Sequence, residues 1–124
     1  MNYTVELTRS AEADLNDIVG WIAQNDSTKL ALQVLDRIRS RLESLREQPE
    51  RGSGPSELRS LGVTRYRQVF FKPYRIIYHV RDQRVIVNLI ADGRRDMSVL
   101  LQRRLTYTGT RLPGWVSANS KSRS

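Results

Sequence analysis

The sequence contains no cysteine and only one histidine, His79. The absence of cysteine excludes disulfides, thiolate nucleophiles and cysteine-ligated zinc or iron–sulfur centres. A zinc site built around a single histidine would need carboxylates for almost all of its ligands, which is unusual. We therefore expect no metal ion and no other cofactor.

Long apolar runs are absent as well. No stretch approaches the roughly 18 apolar residues that span a bilayer, and the first residues, MNYTVELTRSAEADL, lack the basic-then-apolar layout of a signal peptide. A chain of 124 residues with 27% charged residues has the size and composition of one small globular domain. We expect a cytoplasmic protein without a membrane partner.

Negative charge is scarce in the second half of the chain. Residues 1–58 carry a formal net charge of −3, whereas residues 59–124 carry +11. Of the 21 basic residues, 18 are arginine, the side chain that binds phosphate or carboxylate groups with two parallel hydrogen bonds. The second half therefore predicts an anionic partner, but its composition does not choose between RNA, DNA and an acidic protein.

The first half predicts a strand and two helices. Apolar and polar residues alternate in residues 2–7, as in a half-buried strand. Apolar residues then recur at spacings of three and four, which predicts one helix capped by Thr8 or Ser10 and a second over about residues 27–46. The short break between them indicates an antiparallel hairpin. Residues 48–64, rich in Gly, Pro and Ser, predict one long loop.

The second half predicts three strands and a final helix. Residues 65–71, 74–80 and 84–91 are dense in Val, Ile, Tyr and Phe, and their short connections favour an antiparallel meander. Residues 97–105 return to a helical pattern. The chain is therefore predicted to be α+β, in the order β-α-α-β-β-β-α, with an antiparallel sheet and a helical hairpin packed on one face.

The middle strand, KPYRIIYHV, places Arg75 and His79 on the face away from the hairpin, part of which we expect to be open. Five arginines are predicted to converge there into a phosphate-binding surface: Arg65, Arg67, Arg75, Arg94 and Arg95. The alternative is that these arginines lie at edges, where their stems cover apolar surface. Likewise, His79 is either a general acid or base or a packed, hydrogen-bonded residue.

The segment Gly93-Arg94-Arg95-Asp96 also has two interpretations. In the structural one, the glycine relieves a turn, Asp96 caps the final helix and both arginines face water. That interpretation leaves the paired arginines unexplained, so we retain them as binding candidates.

The stretch YRQVFFKPYRIIYHVRDQRVIVNLIADGRRD closely resembles the RelE/ParE superfamily of bacterial toxins from type II toxin–antitoxin systems. The resemblance covers about residues 2–105, and its most specific parts are Pro73–Tyr78 and Gly93–Asp96. It implies a RelE/ParE-like toxin domain over residues 1–105. Residues 106–124 match nothing specific in the family; because they are rich in Gly, Ser and Thr and end in a polar, basic run, we expect a poorly ordered tail there. The resemblance also implies a cognate antitoxin, and binding to operator DNA only together with that antitoxin.

The superfamily divides by target. RelE-like members cut mRNA on the ribosome, and under that interpretation the catalytic candidates are Arg65, Arg67, Arg75, His79 and Arg95, with Tyr107 a further proton-transfer candidate. The closing segment DMSVLLQRRL lacks the tyrosine or histidine that many of those members carry. ParE-like members poison DNA gyrase without cutting nucleic acid, and the order glycine, two arginines, aspartate, apolar helix is more similar to theirs.

The resemblance thus implies a ParE-like inhibitor of DNA gyrase that arrests growth and takes part in plasmid stabilisation. The residues expected to bind the target or the antitoxin are Arg67, Arg75, Arg94, Arg95, Leu100 and Leu101. The alternatives are a metal-independent endoribonuclease acting on ribosome and mRNA, and a non-toxic corepressor that binds an antitoxin. Replacing Arg75 by alanine is predicted to reduce toxicity while leaving the fold intact.

Overall fold

The computed structural model describes residues 2–107, and its elements follow the predicted order with one addition. They are β1 (Thr4–Leu7), α1 (Arg9–Asn25), α2 (Thr28–Ser44), α3 (Ser56–Arg59), β2 (Tyr66–Phe71), β3 (Tyr74–Arg81), β4 (Arg84–Asp92) and α4 (Met97–Tyr107). The addition is α3, a single turn inside the segment predicted to be one long loop. Of the predicted tail, residues 106–107 belong to α4, and residues 108–124 lie outside the described residues.

Both helices of the hairpin begin where a hydroxyl side chain precedes them. The Thr8 hydroxyl accepts a hydrogen bond from the Ala11 N–H at 3.1 Å, and the Ser27 hydroxyl accepts one from the Leu30 N–H at 3.0 Å. Amides of the first helical turn have no partner within the helix, so such a cap stabilises the start. The predicted break near Ser27 is thus confirmed.

The sheet has the order β1-β4-β3-β2. As predicted, β2, β3 and β4 form an antiparallel meander, whereas β1 pairs with β4 in parallel. The sheet is therefore mixed, because the helical hairpin carries the chain from β1 across the sheet to β2 at the opposite edge. This crossover makes β3 and β4 the central strands.

Two apolar cores lie on opposite faces of the sheet. The first lies under α1 and α2, and its buried residues are Ala11, Ile38, Leu42, Leu45, Val69, Ile76, Tyr78, Val85, Val87 and Ile90. The second lies under α3 and α4 and is formed by Leu58, Tyr66, Ile77, Leu89, Ala91, Met97, Leu101 and Leu105. The face that we expected to be partly open is therefore covered.

Among the helices of residues 2–107, none has both the length and the apolar character that crossing a bilayer requires.

Candidate functional site

Arg75 lies in the second core and not on an open surface. Strand alternation places it beside Ile77, and there its Nε donates to Gln68 Oε1 at 2.9 Å. Its two terminal nitrogens donate to the two carboxylate oxygens of Glu57, both at 2.8 Å. The Arg75 and Glu57 side chains are only 12% and 23% exposed. The prediction that Arg75 faces a partner is wrong for this conformation, because α3 brings Glu57 over it.

The pair between Glu57 and Arg75 is strongly ionic. Hydrogen bonds from Arg75 lower the pKa of Glu57 from its ordinary value of 4.5 to about 2, against the opposing effect of burial. Glu57 therefore stays ionised at neutral pH. Removing either partner of such a sheltered pair leaves a charge that is poorly solvated.

Gly93 has a packing role that the sequence did not indicate. A Cβ at this position would lie 2.9 Å from Arg75 Cδ and 3.3 Å from the Pro73 carbonyl oxygen. The Gly93 backbone is not in the left-handed region, which among the described glycines is occupied by Gly62. Gly93 does lie in the turn between β4 and α4, but what favours glycine there is the room it leaves for the Arg75 stem and not a left-handed backbone.

Arg67 lies on the opposite face of the sheet from Arg75. It is paired in register with Tyr78, whose side chain belongs to the first core. The Arg67 Nη1 donates to the carbonyl oxygens of Glu50 at 3.1 Å and Gly52 at 2.8 Å. Arg67 thus fixes the loop before α3. Contrary to the prediction, it does not converge with Arg75.

Arg65 and His79 meet at Tyr66, near the start of β2. The Arg65 guanidinium lies 5.3 Å from the centroid of the Tyr66 ring, and its Nη2 donates to the Tyr66 hydroxyl at 3.3 Å. The His79 ring packs edge-on against the same ring, with 5.5 Å between centroids. These two candidates are therefore neighbours, but the tyrosine between them is buried.

His79 is held as a neutral, hydrogen-bonded side chain. Its Nδ1 lies 2.8 Å from the amide oxygen of Asn88, which accepts the hydrogen bond. Burial lowers the pKa of His79 against the opposing effect of the Asn88 hydrogen bond, and the nearby positive charges of Arg65, Arg81 and Arg84 lower it further. At neutral pH the imidazole carries no charge, in keeping with the packed alternative.

Arg94 and Arg95 are exposed, as Arg65 is. Arg94 is 80% exposed and binds the Asp92 carboxylate through its Nε at 2.9 Å and through its Nη2. These bonds lower the pKa of Asp92 to about 2. The Arg95 guanidinium makes no hydrogen bond or ion pair within residues 2–107. As predicted, Asp96 caps α4, because its carboxylate accepts from the Val99 N–H at 3.2 Å.

The two leucine candidates differ in accessibility. Leu100 is half-buried, but Leu101 is 1% exposed and packs in the second core with Met97. The prediction that Leu101 contacts a partner is therefore wrong for this conformation. Its position follows from helical periodicity, which places Leu101 and Leu105 on the face of α4 that meets the sheet.

An ion pair that the sequence did not reveal fixes α4 against α1 and β4. The Arg104 terminal nitrogens donate to the Asp14 carboxylate at 2.8 and 2.9 Å, and Nη1 also donates to the Asn88 carbonyl at 2.8 Å. The same carboxylate accepts from the Ile90 N–H at 3.0 Å. These contacts occupy the part of the β4 edge that extends beyond β1. Since 90 residues separate Asp14 from Arg104, no local pattern could have found them.

The predicted phosphate surface therefore does not assemble as one site. Arg65 lies against Tyr66, Arg67 and Arg75 lie on opposite sheet faces, and the exposed pair Arg94-Arg95 lies where β4 turns into α4. Across residues 2–107, no group of three or more His, Cys, Asp or Glu side chains is placed to hold a metal ion. Of the candidate arginines, Arg65 is exposed beside Tyr66, whereas Arg94 and Arg95 form a cationic surface together with the start of α4.

Among known proteins, a toxin and chains from two toxin–antitoxin systems are similar to this chain. Toxin ParE3 of Caulobacter vibrioides is 29% identical over 97 residues, which are 78% of this chain and 93% of that protein. In fold, the chain is similar to a chain of the chromosomal ParDE toxin–antitoxin system of P. aeruginosa, with a TM-score of 0.61, 22% identity and coverage of 73% of this chain and 95% of that one. It is also similar to a chain of the toxin–antitoxin complex RelBE2 of Mycobacterium tuberculosis, with a TM-score of 0.54, 20% identity and coverage of 74% and 92%.

The match to a family model decides the assignment. Residues 5–97 match the model described as ParE toxin of type II toxin-antitoxin system, parDE. This range includes the hairpin, all of the sheet except Thr4, and the Gly93–Asp96 segment. The chain therefore belongs to the family of ParE toxins of type II toxin–antitoxin systems.

Proposed function

We propose that this toxin poisons DNA gyrase and does not itself cut nucleic acid. The observation that carries the proposal is the separation of the arginines that a nuclease would need around one scissile phosphate. Arg75 is neutralised by Glu57, and Arg67 is held by backbone carbonyls on the other sheet face. Stabilising the charge that develops during phosphodiester cleavage requires donors already aimed at one point. The arrangement favours binding over catalysis.

The proposed contact surface is the β4–α4 junction. Arg94 and Arg95 project into solvent there, and the exposed Val99 and half-buried Leu100 lie on the following helical turn. Arg95 and the exposed Arg94, which is paired with Asp92, lie beside a small apolar patch and match an acidic partner surface with an apolar centre. Arg67, Arg75 and Leu101 support this surface from inside the fold and make no direct contact.

The proposal includes a cognate antitoxin as the neutralising partner. The solved relatives come from toxin–antitoxin systems, and the chain itself carries a formal net charge of +8, which suits an acidic wrapping segment. We place toxin and antitoxin in the cytoplasm, with operator DNA bound only by the two proteins together.

A second candidate, ribosome-dependent cleavage of mRNA, has one observation in its favour. Arg65 and His79 both contact the Tyr66 ring, and the lowered pKa of His79 leaves a neutral imidazole at pH 7. A neutral histidine is the form that accepts a proton from a 2′-hydroxyl. The test of the gyrase proposal must therefore include a ribosome assay.

Purified toxin is added to gyrase with relaxed plasmid, and in parallel to ribosomes translating a defined mRNA. We expect inhibited supercoiling or gyrase-dependent plasmid cleavage and an uncut mRNA. The variant R94A/R95A is expected to lose most of this inhibition. The variant K29A/R81A, which removes the same amount of charge from exposed positions elsewhere, is expected to retain it. Full supercoiling together with mRNA cuts would overturn the proposal in favour of the nuclease.

A further inference from the structure

An open concavity of about 340 Å³ lies along the outer edge of β2, and neither the family assignment nor the gyrase proposal uses it. It is lined by Arg41, Arg51, Gly52, Ser53, Gln68, Val69 and Phe70. Two of these residues are cations and none is a carboxylate. The concavity shares no residue with the surface at the β4–α4 junction.

The loop that carries Arg51 is held rigidly against the sheet. The buried Tyr78 hydroxyl donates to the Pro49 carbonyl at 2.7 Å and accepts from the Gly52 N–H at 3.2 Å. A Cβ on Gly52 would lie 2.4 Å from the Gln68 carbonyl oxygen, so only glycine allows this close approach. With Arg67 bonded to the same loop, the backbone position of Arg51 is set before any ligand arrives.

Both arginines keep donors available. Arg41 reaches from α2 to the β2 edge, where its Nε donates to the Phe70 carbonyl at 2.8 Å. Its two terminal nitrogens make no hydrogen bond within the described part of the chain, and the same is true of the whole Arg51 guanidinium. Two guanidinium groups without carboxylate partners on one concave wall form a site for an anion.

The strand edge inside the concavity is already occupied. Gln68 exchanges both backbone hydrogen bonds with Ser53, at 2.8 and 3.3 Å, and the Phe70 carbonyl is taken by Arg41. An extended peptide that adds to a sheet needs these backbone groups to be free. By contrast, Phe70 is 47% exposed. Its register pairing with Arg75 puts its ring on the sheet face away from α2, so the exposed ring lies across the β2 edge from the two cations.

We propose that this concavity binds single-stranded nucleic acid, with backbone phosphates on Arg41 and Arg51 and a base stacked on Phe70. A basic groove with an aromatic platform is the general design of single-strand binding sites. Arg37 lies one helical turn before Arg41 on the same exposed face of α2 and extends the positive line. The inference does not depend on whether the toxin's target is gyrase or the ribosome.

The test is fluorescence anisotropy of a 5′-labelled oligothymidine of about twelve nucleotides, titrated with the full-length protein at several salt concentrations. Each phosphate contact contributes about 0.7 to the slope of log K against log salt for a single strand. We expect R41A/R51A to lower that slope by about 1.4 and to weaken binding roughly 25-fold near 0.1 M salt. K29A/R81A, with the same net charge, is expected to keep the wild-type slope. F70L is expected to weaken binding roughly fivefold with an unchanged slope, because stacking involves no counterion.

Three outcomes would overturn the proposal. An equal loss in K29A/R81A would mean that binding follows net charge and not this site. Competition by a polyglutamate of matched charge, at the same concentration as unlabelled oligonucleotide, would reassign the site to an acidic peptide. An F70L variant that binds like wild type would remove the stacking role. Circular dichroism of every variant separates these outcomes from misfolding, and the assay contains no gyrase, so its failure is distinct from failure of the proposed function.

Discussion

Replacing Glu57 by glutamine is expected to remove a pH-dependent part of the stability that comes from the Arg75 ion pair. The folded-state pKa of Glu57 is about 2 against an ordinary value of 4.5. Each unit of such a difference corresponds to about 1.4 kcal/mol, so the ionised pair accounts for roughly 3 kcal/mol at neutral pH. Because the Glu57 side chain is 23% exposed, solvent screening reduces this value, and we expect about 2–3 kcal/mol.

The sign of the effect follows from the direction of the shift. The pKa is lowered in the folded state, so the stabilisation is fully present above pH 4.5 and is lost as the pH falls toward 2. Urea unfolding followed by far-UV circular dichroism, at about pH 7 and about pH 3, gives the free energy of unfolding of both proteins. The difference in free energy of unfolding between wild type and E57Q should be large at about pH 7 and smaller at about pH 3.

The matched control is E6Q. Glu6 also pairs with an arginine through two hydrogen bonds, at 2.8 and 3.1 Å to Arg84, but both side chains are close to half exposed. An exposed pair contributes about 0.2–1 kcal/mol, so E6Q should cost much less than E57Q at neutral pH. The reasoning about the sheltered pair would be refuted if E57Q lost less free energy of unfolding than E6Q, or if its loss did not change with pH.

Three further predictions concern the loop before α3 and the docking of α4. Replacing Gly52 by alanine forces its Cβ against the Gln68 carbonyl and is expected to cost about 1–3 kcal/mol in urea unfolding, whereas the same change at an open surface would cost little. Replacing Tyr78 by phenylalanine leaves a buried carbonyl and N–H without their partner and should cost about 1–2 kcal/mol; a neutral outcome would mean that water reaches this loop. Replacing Asp14 by alanine should cost about 2–4 kcal/mol and increase hydrogen exchange in α4, because Arg104 and the Ile90 N–H lose their shared acceptor; unchanged exchange would contradict the docking role.

The elements were predictable because their signals are local. Apolar periodicity defined both helices of the hairpin and the three strands of the meander, and the hydroxyls of Thr8 and Ser27 marked the helix starts. Helix α3 was missed, since a single turn is too short to produce a periodic pattern. The parallel pairing of β1 was missed because strand pairing depends on the path of the intervening hairpin.

The site was less predictable, because side-chain partners far apart in sequence decide its chemistry. The alternation in β3 correctly separated Arg75 and His79 from the core face under the hairpin. It did not reveal that Glu57 neutralises Arg75, that Asn88 binds His79, or that Leu101 packs against the sheet. The concavity beside β2 left no signal, since Arg41 and Arg51 come from different segments.

The sequence by itself determined the α+β element order, the concentration of arginine in the second half and the family resemblance, because each depends on residue types and short spacings. Only the tertiary structure decided which arginines remain accessible. A charged side chain on a strand is tolerated only where a partner or water solvates it. Here α3 places Glu57 over the sheet, where it pairs with Arg75 and gives Arg75 a structural role. The same folding leaves Arg94, Arg95, Arg41 and Arg51 exposed, and the two binding proposals rest on those side chains.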